Sequence, residues 1–126
     1  MLSDCQAATM LPVSDLHRAR GFYEDTLGFK PVLERDDMVQ YAAAGTPFGV
    51  FVSSGRSDGS FTQMSFGAAD FDAQIADLRA RGVKLEEYDL PGIRTENGVA
   101  EFEGDRIAWF KDPEDNLLAI SSMPQS

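Results

Sequence analysis

The stretch Phe61–Val83, FTQMSFGAADFDAQIADLRARGV, repeats a pattern that the chain has already used in Gln6–Gly28. Asp70 falls on Asp15 when the two stretches are aligned. Each copy reads as an alternating strand, a turn that ends in aspartate, one amphipathic helix and a closing glycine. An internal duplication of this kind predicts two equivalent modules with a site between them.

The length of the chain sets its domain organisation. At 126 residues it can bury a core of its own, whereas each half, of roughly 60 residues, would be marginal alone. We predict one domain over residues 1–126, with module one at 6–53, a linker at 54–60 and module two at 61–122. Hydrophobic residues make up 43% of the chain and charged residues 25%, values that are ordinary for a soluble globular protein.

The amino terminus and the cysteine content predict a cytoplasmic protein. No apolar run approaches the ~18 residues of a membrane span, and the start MLSDCQAAT lacks a basic region followed by an apolar core. Cys5 is the only cysteine, so no internal disulfide can form, which fits a reducing compartment.

The net charge of -10 argues against nucleic acid and anionic membranes as partners, because either would require a basic face. Two interpretations of the acidic excess remain open. It forms a solvated surface that aids solubility, or it surrounds a site for a cationic ligand.

Hydrophobic periodicity predicts the same order of elements, β-α-β-β-β, in each module, and therefore an α+β fold. The helices are predicted to begin at Ser14 or Asp15 and at Asp70. The longer segment 89–106 is predicted to hold an additional hairpin or a lid. The predicted strands are 6–13, 29–34, 38–44 and 48–53 in module one, and 61–66, 83–88, 107–111 and 117–122 in module two.

Three segments resemble signature segments of the vicinal oxygen chelate superfamily, which includes glyoxalase I, bleomycin-resistance proteins and extradiol dioxygenases. They are Val13-Ser14-Asp15-Leu16, Phe22-Tyr23 with Leu27-Gly28-Phe29, and Trp109-Phe110-Lys111-Asp112-Pro113-Glu114-Asp115-Asn116. The resemblance implies two modules whose curved mixed sheets form an open cup, often across the interface of a homodimer. Asp115 departs from the glycine that is usual in the family's turn.

The resemblance also implies where a metal would be held, because the family's enzymes use four side chains, two from each module. By register these positions are Ala8, Phe51, Gln63 and Ala119. Methyl and benzyl groups offer no donor atoms, and the amide of Gln63 is a weak ligand. His17, the only histidine, is predicted to face solvent on the first helix. We therefore expect no bound metal, no cofactor and no catalytic residue.

Strand parity predicts which residues face the cup and which pack against the helices. Trp109 and Phe110 are adjacent, so only one of them can face the cup, and the sequence does not distinguish them. The mixture of small, aromatic and hydroxyl side chains favours a ligand pocket, although a cavity that only packs the sheets is the alternative. The predicted ligand-binding residues are Met10, Tyr41, Phe51, Ser53, Phe61, Gln63, Ser65, Phe102, Trp109 and Ala119. The predicted core residues are Leu11, Val13, Val50, Val52, Met64, Phe66, Leu118 and Ile120.

Two functions from different classes are compatible with these features. The first is a metal-free protein that binds a small organic ligand, aromatic or cationic, and sequesters a drug or natural product as bleomycin-resistance proteins do, which would confer antibiotic resistance. The alternative is a glyoxalase-like lyase or isomerase, or a dioxygenase. It would use either a divalent metal or metal-independent acid-base chemistry through groups such as Gln63, Ser65 and Tyr41.

Overall fold

The computed structural model describes residues 1–122 of the chain. It has the mixed α+β fold that the sequence predicts, with two mixed sheets and few helices. The chain divides into two compact units, Met1–Arg56 and a second that begins at Ser57. Among the described residues, no helix is long and apolar enough to cross a membrane.

The first unit contains one helix and four strands. They are β1 (Thr9–Val13), α1 (Leu16–Arg20), β2 (Leu33–Glu34), β3 (Met38–Ala43) and β4 (Thr46–Val52). A short 3₁₀ turn, Leu2–Asp4, comes before β1. The sheet has the order β1-β4-β3-β2, in which β1 and β4 are parallel and the other neighbours are antiparallel.

The second unit follows the same plan and adds a hairpin. Its elements are β5 (Thr62–Gly67), α2 (Phe71–Ala80), β6 (Asp89–Leu90), β7 (Ile93–Glu96), β8 (Val99–Phe102), β9 (Asp105–Lys111) and β10 (Leu117–Ser121). The strand order is β5-β10-β9-β8-β7-β6, with β5 parallel to β10. The first four strands therefore correspond to the whole sheet of the first unit, and β7 and β6 extend the sheet at the far edge.

The two helices begin with the same side-chain cap. The Asp15 carboxylate accepts a hydrogen bond from the backbone N–H of Arg18 at 3.0 Å, and the Asp70 carboxylate accepts one from Ala73 at 3.1 Å. A cap of this kind stabilises a helix by about 1 kcal/mol because it satisfies a free N–H of the first turn. The duplication seen in the sequence is thus repeated in the local hydrogen bonding.

The first helix is not α-helical to its end. After α1 the chain continues as a π-helical turn, Gly21–Thr26, in which the N–H of Leu27 donates to the carbonyl of Phe22 at 2.9 Å. The segment closes at Gly28, whose φ of +84° favours glycine.

Two predicted strands are shorter or absent. In 29–34 the strand that pairs with β3 is Leu33–Glu34, and the N–H of Val32 also donates to the Gln40 carbonyl at 2.7 Å. Pro31, just before it, has no N–H to donate to a ladder. The segment 83–88 is not a strand: β8 occupies the first half of β9, and only the N–H of Glu86 donates to the Trp109 carbonyl, at 2.8 Å. The additional hairpin predicted within 89–106 is confirmed as β6 and β7.

Three hairpins are closed by two-residue turns with positive φ at both positions. They are Ala44-Gly45 (49° and 85°), Asn97-Gly98 (56° and 82°) and Glu103-Gly104 (52° and 87°). Turns of this geometry match the twist of the strands they join and fix the strand register. The turn between β3 and β4 therefore lies before Thr46, not around it as the sequence suggested.

The core of the first unit is an aromatic cluster between its helix and its sheet. Tyr41 stacks on Tyr23 at 5.8 Å and contacts Phe48 at 5.5 Å between ring centroids. The Tyr41 hydroxyl donates to Glu24 at 2.8 Å, and Arg20 donates to the same carboxylate at 2.6 Å. Tyr41 is 0% exposed, so its predicted role in a ligand site must be corrected: its ring fills the core.

Strand parity predicted most of the core correctly. Leu11, Val13, Val50, Leu118 and Ile120 are buried as expected. Val52 is an exception, since it is 45% exposed at the end of β4, and Met64 and Phe66 in β5 are only half-buried. The described side chains that α2 buries are Phe71, Ile75 and Leu78.

The hydrogen bonds to Glu24 make the stability of the protein depend on pH. The Arg20 guanidinium lowers the pKa of Glu24 below its ordinary value of 4.5, the Tyr41 hydroxyl lowers it further, and burial opposes both. A carboxyl with a lowered pKa in the folded state contributes stability above its ordinary pKa, and that contribution is lost as the pH falls through the folded value. We expect Glu24→Gln to reduce the free energy of unfolding by about 1–2 kcal/mol at pH 7 and by less below about pH 4.

Urea denaturation of wild type and variant at several pH values would measure this difference. Asp25→Asn removes the neighbouring exposed carboxylate and serves as the control. If the free energies of unfolding of wild type and Glu24→Gln differed by the same amount at every acidic pH, the pKa of Glu24 would not be lowered in the folded state.

Candidate ligand-binding site

The face of the second unit's sheet opposite α2 carries Trp109, which is 9% exposed and belongs to a buried cluster with Ala100, Leu117 and Ala119. Arg106 lies on the α2 side of β9, with its guanidinium 4.8 Å from the centroid of the Phe71 ring. Phe110 shares that side by strand parity and is buried, so Trp109 points the other way. The question that the sequence left open is thereby answered.

A groove of about 220 Å³ lies against Trp109 on this face. Ala100 pairs with Ile107 across β8 and β9, which places both on the same face as the indole. Phe102 shares this face and is 53% exposed. The groove surface is almost wholly apolar, and its lining residues are Gly92, Ile93, Ala100, Glu101, Phe102, Ile107 and Trp109.

The indole of Trp109 is held by two neighbours. Its Nε1–H donates to the Thr62 hydroxyl at 3.0 Å, which fixes the rotation of the ring. The Tyr88 ring meets it edge to face, with centroids 5.4 Å apart and an interplanar angle of 89°. Burial, aided by the Glu86 carboxylate, raises the pKa of Tyr88, so its phenol is neutral at physiological pH. The indole that lines the groove is therefore held in a fixed orientation.

Gln63 is engaged in the structure of the second unit. Its Oε1 accepts hydrogen bonds from the Ser57 hydroxyl at 2.6 Å and from the N–H of Leu117 at 3.2 Å. Its Nε2 donates to Asn116 Oδ1 at 2.8 Å. Gln63 lies where the register of the β5–β10 ladder shifts. Both ends of its amide are used in these hydrogen bonds, so it is not placed to receive a ligand as the sequence suggested.

The buried turn after β9 completes this polar network. Asp112 accepts hydrogen bonds from the N–H groups of Glu114 and Asn116 at 2.8 and 2.9 Å, and from Asn116 Nδ2 at 2.8 Å. Asp115 adopts a φ of +65°, the conformation for which the family's turn uses glycine. The departure at Asp115 therefore leaves the geometry of the turn intact.

In the first unit, the face opposite the helix carries Met10, Met38 and Phe51. A Cβ on Gly49 would lie 2.8 Å from the Met10 sulfur, so the absence of a side chain there makes room for the thioether. Ser53 accepts a hydrogen bond from the N–H of Gly55 at 3.1 Å and shapes the chain after β4.

The remaining predicted residues are distributed differently. Ala119 is directly opposite Trp109 in the β9–β10 ladder, and Ser65 is opposite Ala119 in the β5–β10 ladder. Phe61 lies before β5 and is 61% exposed. Of the predicted set, Phe102 and Trp109 line the groove.

The other lining residues are not among those predicted from the sequence. Ile107 could have been found from the parity of β9, since it lies two residues before Trp109. The positions of Ile93 and Ala100 on this face follow from the pairing of β7 with β8. No strand was assigned within 89–106 from the sequence, so this pairing could not be predicted.

The metal positions of the superfamily have no suitable donors here. The alignment of Asp15 with Asp70 places Met10 on Ser65. Met10 pairs with Gly49 in the first unit, and Ser65 pairs with Ala119 in the second. The counterpart of Ala119 is therefore Gly49, not Phe51 as the sequence suggested. Ala8 lies just before β1. Within residues 1–122, no group of three His, Cys, Asp or Glu side chains could hold a metal ion. These residues do not fit a divalent ion.

Comparison with known proteins places the fold in a family. Residues 6–120 match the model of the Glyoxalase/Bleomycin resistance protein/Dioxygenase superfamily. The chain belongs to this superfamily. No curated protein matches the sequence.

Solved structures of the superfamily share this fold. A glyoxalase/bleomycin resistance protein/dioxygenase from Alicyclobacillus acidocaldarius is 20% identical, with a TM-score of 0.73 over 94% of this chain and 90% of that one. A bleomycin-binding protein in complex with bleomycin is 20% identical, with a TM-score of 0.71 over 95% and 99%. An antibiotic binding protein from a Streptomyces species is 24% identical, with a TM-score of 0.60 over 92% and 94%. At such identities the likeness shows the fold alone.

The donor set makes a prediction about metal content. After incubation with zinc, nickel, manganese or iron and exhaustive dialysis, we expect less than about 0.1 equivalent of metal per chain by elemental mass spectrometry. Untagged protein is required, because a histidine tag would bind these ions. Retention of about one equivalent of metal would contradict the conclusion that these residues do not fit a divalent ion. A matched Gln63→Ala sample would then show whether the Gln63 amide contributes to the binding.

The hydrogen bond to Thr62 makes a separate prediction. Thr62→Val removes the acceptor, and we expect a loss of about 1 kcal/mol in the free energy of unfolding together with a shift in the fluorescence of Trp109. Thr62→Ser keeps the hydroxyl and should behave as wild type. Identical emission spectra for all three proteins would show that the hydrogen bond is not formed in solution.

Proposed function

We propose that the protein binds a small organic molecule without a metal and inserts a planar aromatic part of that molecule into the groove beside Trp109. The observation that carries this proposal is the groove itself, an apolar recess with an oriented indole and an exposed phenyl ring, Phe102. Stacking and burial of aromatic surface supply affinity in such a site without coordination chemistry.

The volume of the groove limits what it can hold. At about 220 Å³ it is smaller than the range of about 300–1,000 Å³ that encloses a drug-sized ligand. We therefore infer that the groove receives one ring system and that the rest of the ligand lies outside it. Ser65, exposed on the same face, is placed to contact that remainder.

The charge around the groove favours a cation. Between Asp89 and Asp105 the chain carries five carboxylates and a single basic residue, Arg94. Glu101 lies opposite Arg106 across β8 and β9, on the α2 side, so its carboxylate does not enter the groove. The acidic surroundings would attract a cationic group that remains in solvent while the aromatic part is buried.

Sequestration of a toxic natural product is the role that fits a binding site without catalytic groups. A structural neighbour binds bleomycin, and another binds an antibiotic, which supports a ligand of this class. Antibiotic resistance and a homodimeric state belong to this proposal and rest on the resemblance to bleomycin-resistance proteins. A cytoplasmic location also belongs to it and rests on the amino-terminal sequence and the single cysteine.

The proposal predicts that an aromatic cation quenches the fluorescence of Trp109, the only tryptophan of the chain. Bleomycin and naphthylmethyl trimethylammonium are suitable probes, and naphthaleneacetate is the matched anion. We expect saturable binding of both cations and weaker binding of the anion. Raising the ionic strength should reduce this preference by screening the carboxylates.

Phe102→Ala tests whether the groove is the site. Loss of one stacking ring should weaken probe binding about tenfold. Val32→Ala, which truncates an exposed apolar residue of the first unit, should bind as wild type. Equal affinity of Phe102→Ala and wild type, or the absence of saturable binding of any probe, would overturn the proposal.

A further inference from the structure

The groove is built with an element that only the second unit possesses. The sheets of the two units have equivalent strand orders, β1-β4-β3-β2 and β5-β10-β9-β8, and the second continues with β7 and β6. The hairpin Asp89–Glu96, which comprises these two strands, contributes Gly92 and Ile93 to the groove lining. The symmetry of the duplication is therefore broken at the groove.

Strand pairing fixes the side on which Ile93 lies. Thr95 pairs with Ala100, and Ala100 pairs with Ile107, so all three are on the face of the sheet opposite α2. Ile93 precedes Thr95 by two residues and has the same parity. Its side chain forms one wall of the recess that Trp109 lines.

The attachment of this hairpin is confined to its base. The Thr95 N–H donates to the Tyr88 carbonyl at 2.8 Å, and the Tyr88 N–H donates to the Thr95 hydroxyl at 2.8 Å. The Tyr88 ring then packs edge to face on Trp109. Tyr88 thus holds both the hairpin base and the indole. It therefore sets the distance between Ile93 and Trp109.

The tip of the hairpin carries apolar side chains that the rest of the unit leaves exposed. Leu90 and Ile93 pair across the Pro91-Gly92 turn, and they are 56% and 37% exposed. β6 ends the sheet and has β7 as its neighbour there. Leu90 is therefore more than half exposed, whereas most of the Ile93 side chain is buried, so folding of each variant is checked before its binding is measured.

We propose that the hairpin Asp89–Glu96 is the specificity-determining element of the site and that Ile93 limits the size of the aromatic ring system that the groove accepts. This inference rests on the proposed function. A bulky residue at position 93 excludes wide ring systems, whereas a small residue admits them. In a hydrophobic pocket, removing a few carbon atoms from a wall changes discrimination by roughly tenfold or more.

The test compares two cations with the same head group, naphthylmethyl trimethylammonium and pyrenylmethyl trimethylammonium, which differ in the number of fused rings. Dissociation constants are measured by isothermal titration calorimetry for wild type, Ile93→Ala and Ile93→Phe. We expect Ile93→Ala to raise the affinity for the pyrenyl probe relative to the naphthyl probe by roughly tenfold. Ile93→Phe should lower the same ratio.

Leu90→Ala is the matched control, because Leu90 belongs to the same hairpin and does not line the groove. Its affinity ratio should equal that of wild type. Unchanged ratios in both Ile93 variants, with both probes still bound, would overturn the role of the hairpin and leave the proposed function standing. Failure of wild type to bind either probe would overturn both.

Discussion

The buried amide of Asn116 is the interaction on which the second unit depends. It is 0% exposed and is bonded to Gln63 on β5 and to Asp112 at the start of the turn before β10. A buried polar network is stable only when every member is satisfied, and among the described residues no buried side-chain nitrogen or oxygen lacks a partner. The network fixes where β10 begins, and through β10 it sets which residue of β9 meets Ala119. The position of Trp109 therefore follows from a turn that does not contact the groove.

This dependence explains why Gln63 misleads an analysis of the sequence. Its strand position and its polar amide made it a candidate to contact a ligand. What the sequence cannot show is that Ser57, Leu117 and Asn116 occupy the amide in three dimensions. Tyr41 is a similar case, because its ring was a candidate to stack on a ligand but is buried in the core.

Patterns with a short period were predicted well. Alternation in β1, β4 and β10 identified most of the core, and the aspartate caps located both helix starts, because each depends on neighbours within the same element. Register between distant strands was predicted less well. Matching β4 to β10 by similar residues gave Phe51 as the counterpart of Ala119, whereas pairing with β1 and β5 gives Gly49. The sheet ladders, which carry this information, are not local in sequence.

The short final strand of the second sheet also bears on self-association. A long, flat and apolar edge would offer free N–H and C=O groups to the sheet of another molecule. β6 is two residues long, it begins with the charged Asp89, and Pro91 follows it with no N–H to donate. Leu90 and Phe102 are exposed nearby, so this edge would otherwise promote aggregation. The protein can therefore keep apolar surface open to solvent while this edge discourages hydrogen-bonded pairing with the sheet of another molecule.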